Sequence, residues 1–83
     1  MTFHRFGLLR PRAQLLHTLV QGLFLAQRWS QEHLLKLYYL PDGARGFFVE
    51  VVFDEGLERF IVLRSFSSQV PLTEYAREVR LPF

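Results

Sequence analysis

The chain has 83 residues, of which 49% are apolar and 16% aromatic with nine phenylalanines, a composition that excludes a disordered segment or a polar linker. A chain of this size supports one hydrophobic core, so residues 1–83 are expected to form a single small α+β domain. It has no cysteine, which excludes disulfide staples and thiolate metal sites and makes a reducing, cytoplasmic setting the expected one.

The net charge of +2 is unevenly spread. Residues 1–31 carry Arg5, Arg10, Arg12 and Arg28 and no acid, whereas the remainder holds six cations against eight acids. The apolar run from Leu15 to Ala26 is too short to span a bilayer, is interrupted by His17, Thr18, Gln21 and Gly22, and is followed by no small-residue cleavage site. No membrane role or targeting segment is therefore expected.

Residues 1–9 show no clean periodicity and contain Gly7, so they read as an extended arm whose Phe3 and Phe6 fold back onto the body. Pro11 suits the first turn of a helix. Ala13, Leu15, Leu16, Leu19, Val20, Leu23 and Ala26 then recur at spacings of three and four, with Gln14, His17, Thr18, Gln21 and Arg28 on the opposite side. This pattern predicts a long amphipathic helix over 11–29 whose apolar side faces the core. Gly22 inside such a helix costs about 1 kcal/mol relative to alanine and suggests a close backbone approach.

Leu34–Leu40 reads as a strand stopped by Pro41-Asp42-Gly43. Gly46–Phe53 is β-branched or aromatic almost throughout and is the clearest strand of the chain. Asp54-Glu55-Gly56 reads as a hairpin loop with Gly56 left-handed, which sets Phe53 opposite Leu57 and returns the chain over Leu57–Ser65. Ser67, Ser68 and Pro71 mark a loop, and Leu72–Val79 a short C-terminal helix. The predicted order is α-β-β-β-α, a long N-terminal helix packed on a three-stranded antiparallel β-meander. The double-stranded RNA-binding domain shares that order. Its lysine-rich second helix has no counterpart here, because Leu72–Glu78 holds two acids and one base, so the family is not assigned.

In that register one sheet face collects Phe47, Val49, Val51, Phe53, Leu57, Ile61 and Leu63, and the first helix is expected to cover it. The other face holds Phe48, Glu50, Val52, Glu58, Phe60, Val62 and Arg64 and is half apolar. Its expected cover is the C-terminal segment, with Tyr75, Val79, Leu81 and Phe83, or a second subunit, or a ligand. A small domain cannot absorb this much apolar surface, so a homodimer or other protein partner is expected through a sheet face or edge. The candidate interface residues are Phe48, Val52, Phe60 and Val62, edged by Glu50 and Arg64, with Trp29 and Tyr38 as amphipathic aromatics.

The search for chemistry yields little. His4, His17 and His33 lack the spacing of a helical metal pair, Ser65, Ser67 and Ser68 have no base nearby in sequence, and no glycine loop fits a phosphate. Glu50 reads as one half of a cross-strand ion pair with Arg59 or Arg64. The expectation is a non-catalytic protein-protein interaction or regulatory module, with no metal, cofactor or small-molecule substrate. The alternative is a weak nucleic-acid binder using Arg5, Arg10, Arg12 and Arg28, with Phe3 and Phe6 as stacking groups.

Overall fold

The computed structural model describes residues 1–42 and 45–67. It shows an α+β chain. Two short helices, α1 (Phe3–Leu8) and α2 (Pro11–Gln21), precede four strands, β1 (Leu23–Ser30), β2 (His33–Asp42), β3 (Arg45–Asp54) and β4 (Arg59–Phe66). Among the described residues the strands form one antiparallel sheet in sequence order, each paired with the next. The predicted C-terminal helix over 72–79 and its packing lie outside the described residues.

The predicted helix over 11–29 is half helix and half strand. Proline opens α2 at its first position, but the helix ends at Gln21 and Gly22 takes an extended conformation (φ −80°, ψ 152°). A Cβ at Gly22 would collide with the Thr18 backbone oxygen and lie 3.3 Å from Tyr38 Cβ. The glycine therefore marks the corner where chain leaves helix for sheet. Leu23–Ser30 then becomes β1, because its aromatic and aliphatic side chains gain a full β2 neighbour that a solvent-facing helix would lack. The β1–β2 connection is the two-residue turn Gln31-Glu32, both left-handed (φ 50° and 68°), between the paired Ser30 and His33. This is type I′ geometry in residues that rarely signal it.

Residues 1–9 are likewise not an extended arm. Thr2 caps α1, its hydroxyl accepting from Arg5 N–H at 3.0 Å, and Asp42 Oδ2 accepts from Phe3 N–H at 3.2 Å. The expectation that the phenylalanines fold back does hold: Phe6 is wholly buried, with its ring centroid 5.2 Å from that of Phe47.

The β3–β4 hairpin corrects the predicted register. Asp54 pairs with Arg59 and Phe53 with Phe60, so the loop is residues 55–58. The left-handed residue is Glu58 (φ 52°), not Gly56, and Asp54 Oδ1 closes the loop by accepting from Leu57 N–H at 3.0 Å. Phe53 thus faces Phe60 rather than Leu57, an odd shift that moves Phe60 and Val62 to the face of Phe47, Val49 and Val51. A bulge at Leu63 adds one more residue and returns Arg64 to the face of Glu50. A second bulge lies at Leu25 in β1.

Apolar clusters form on both sheet faces. Phe6, Leu40, Phe47, Val49 and Val51 make the core beneath the helices, with Leu9, Leu15, Tyr38, Phe60 and Val62 against it. Ala26, Leu37 and Phe48 form the second, with Leu25, Tyr39 and Phe66.

Candidate functional site

The helix α2 is rotated from the orientation its hydrophobic pattern predicts, with Leu15 still packed against the core. Thr18 is wholly buried and Gln14 half-buried, whereas Leu16, Leu19 and Val20 are exposed, Leu16 to 64% of its surface. The buried polar groups have internal partners. Thr18 donates its hydroxyl hydrogen to Gln14 O at 2.8 Å, and Gln14 Nε2 donates to Phe6 O at 3.0 Å. His17 packs its ring 6.2 Å from that of Phe6. The polar side of α2 thus grips α1, and α1 supplies Phe6 as the core plug that the longer helix was expected to supply. The apolar flank of α2 is left outward.

This flank borders a groove of about 560 Å³ against β4, walled by Arg12, Leu15, Leu16 and Leu19 from the helix and by Arg59, Phe60, Ile61 and Val62 from the strand. Exposed apolar surface continues from Leu16, Leu19 and Val20 into Phe24 at the start of β1, while Leu23, opposite Tyr39, lies on the other sheet face. No Asp, Glu, Lys or Arg occurs between Ala13 and Gln27. Beyond Phe24, Lys36 bridges aromatic rings, with Nζ 6.0 Å from the Phe24 centroid and 5.0 Å from that of Phe60.

The second feature is a buried polar cluster on the opposite face. Glu50 Oε1 accepts from Arg64 Nε at 2.9 Å, and Arg28 Nη2 stands 3.7 Å from Glu50 Oε2. Glu50 and Arg28 are buried, and Arg64 is half-buried with its guanidinium 5.3 Å from the Phe66 ring centroid. A cavity of about 540 Å³ adjoins the cluster and is also bordered by Ser30 and His33. A carboxylate held between two arginines is engaged as their counter-ion. Among the described residues no three His, Cys, Asp or Glu side chains converge to hold a metal, and no helix is long and apolar enough to cross a membrane.

The predicted interface residues divide between the two faces. Phe48, Glu50, Val52 and Arg64 share the face away from the helices, where Phe48 and Glu50 are buried and Phe48 stacks on Phe66 at 5.5 Å. Phe60, Val62 and Tyr38 lie half-buried on the helix-covered face, and Trp29 is 65% exposed on β1. Of the arginines considered for nucleic acid, Arg5, Arg10 and Arg12 are exposed on the helical side, while Arg28 turns inward to Glu50. Sequence reasoning did not place Leu16, Leu19 and Val20 at a surface. The available signal was that Gln14 and Thr18, both able to satisfy backbone groups, sit one turn apart on a single helix side.

Comparison with known proteins gives no match: no family model, curated protein or solved structure is significantly similar to the chain.

Proposed function

We propose that the chain is a non-catalytic protein-protein interaction module whose contact surface is the outward flank of α2 and the groove it forms with β4. The observation that carries this reading is the rotated helix: Leu16, Leu19 and Val20 face solvent while Thr18 is wholly buried. A helix that packs only for stability turns its leucines inward. Aliphatic side chains grouped beside a concave apolar groove instead mark a surface that another molecule covers. The contact so proposed lies on the helical side of the sheet, where Phe60 and Val62 line the groove.

Photo-crosslinking in cells tests the reading. A photoreactive phenylalanine at position 16 is expected to give discrete protein adducts, and the same group at Leu57, also exposed by more than half in the 55–58 loop, is expected to give none above background. Equal yields at both positions, or no protein adduct at position 16, would overturn it.

A further inference from the structure

We propose that the partner seated on the α2–β4 surface is a second copy of this chain, docked about a two-fold axis passing near Leu16. The proposal rests on the interaction-module reading above and names its occupant. Four observations support it.

The first is size. Leu16, Leu19, Val20 and Phe24 each expose between 49% and 67% of their surface. Together they present on the order of 400 Å² of apolar area, about half of the roughly 800 Å² that one partner contributes to a standard interface, and the β4 wall of the groove adds to it.

The second is shape. A two-fold contact requires a patch to be complementary to itself. Here the same helix supplies the ridge and one wall of the groove, with Leu16 and Leu19 belonging to both. A second α2 crossing antiparallel over the first sets Leu16 against its own copy and lets each ridge enter the opposite groove.

The third is charge. In α2 only Arg12 is formally charged. Pivoting on Leu16 sets Arg12 against Val20 of the second copy. The two Arg12 side chains then stand about eight residues, or ~12 Å, apart along the helix, beyond the screening length of about 8 Å in physiological salt.

The fourth is the sheet itself. The outermost described strands, β1 and β4, carry bulges at Leu25 and Leu63, a device that blunts edge-to-edge pairing.

Sedimentation of purified protein at tens of micromolar is expected to give twice the 9.9 kDa chain mass. Leu16→Glu and Leu16→Lys are each expected to sediment as monomers with circular dichroism spectra unchanged, and their equimolar mixture to recover the dimer by pairing glutamate with lysine across the axis. Val20→Glu provides a second disrupting variant should a substitution at Leu16 impair folding. A monomeric wild type, a dimer that survives both Leu16→Glu and Val20→Glu, or a mixture that stays monomeric would each overturn the proposal, as would a monomer that co-sediments with anionic phospholipid vesicles through Leu16. A monomer that still forms heterologous adducts at position 16 overturns the second copy and leaves the interaction module standing. A monomer with no protein adduct there overturns both.

Discussion

Arg64 donates from Nε to Glu50 Oε1 at 2.9 Å across directly paired positions of β3 and β4, and Glu50 has no exposed surface. The arrangement joins the two outermost described strands, since Arg28 on β1 approaches the same carboxylate from the other side. Removing the carboxylate leaves cationic groups facing one another in a poorly solvated place. Glu50→Ala is expected to destabilise the fold by about 3–5 kcal/mol. Glu50→Gln, which keeps an acceptor oxygen, should cost less. Urea denaturation midpoints of the two variants check the order.

The β1–β2 and β3–β4 loops both set ordinary residues in left-handed backbone. Gln31, Glu32 and Glu58 occupy left-handed backbone, which costs an ordinary residue about 1–2 kcal/mol. Gln31→Asn with Glu32→Gly, and separately Glu58→Gly, should stabilise the chain, each by about 1 kcal/mol, or a rise of ~4–8 °C in melting temperature. Gly56→Ala should change stability by less than about 0.5 kcal/mol, because Gly56 is not left-handed and a Cβ there meets only the Asp54 side chain at 3.3 Å. Thermal melts of the variants separate this loop from one with Gly56 as the left-handed residue.

Gly22 closes α2 against the Thr18 carbonyl and the Tyr38 side chain. Alanine has no room there, so Gly22→Ala should cost about 1–3 kcal/mol. Were residues 11–29 one continuous helix, the same change would stabilise it by about 1 kcal/mol. The sign of the change in melting temperature decides.

Burial pushes the Tyr38 phenol above its ordinary pKa of 10.0. Its neutral form is therefore favoured in the folded state, and the unfolded chain ionises first. The associated stability is fully present below pH 10 and declines as pH rises through the folded-state value. Stability curves of wild type and Tyr38→Phe should run parallel up to about pH 10 and converge or cross above it, with the wild type losing more. Parallel curves throughout would show that Tyr38 ionises as freely in the folded chain.

Much of the sheet was legible in the residues. Phe47–Phe53 is β-branched or aromatic on both faces, a signature of a strand covered on each side, and the structure gives it an apolar cluster on each. Glu50 and Arg64 were correctly placed on one face because two departures offset each other. The loop changed the pairing parity and the Leu63 bulge changed it back. Phe60 and Val62 lie between those two events and so were assigned to the wrong face. β1 was hidden because Leu23 and Ala26 continue the three- and four-residue spacing of Leu16, Leu19 and Val20, and because Gln31-Glu32 lacks the Asn-Gly chemistry that announces a tight turn. The outward face of α2 was illegible for a different reason. Hydrophobic periodicity gives the apolar side of a helix but not which side faces the core, and the deciding contact, Gln14 to the Phe6 carbonyl, depends on a second helix in a segment read as an arm.

The chain lacks cysteine, so single thiols can be introduced and read without interference. The most direct test of the account is the rate of thiol labelling of Leu16→Cys against Thr18→Cys under native conditions. Leu16→Cys should react as a free thiol at high dilution and more slowly as protein concentration rises, while Thr18→Cys should stay protected until denaturant is added. Faster labelling at position 18 than at position 16 would show that the leucine side of α2 faces the core and would contradict the account.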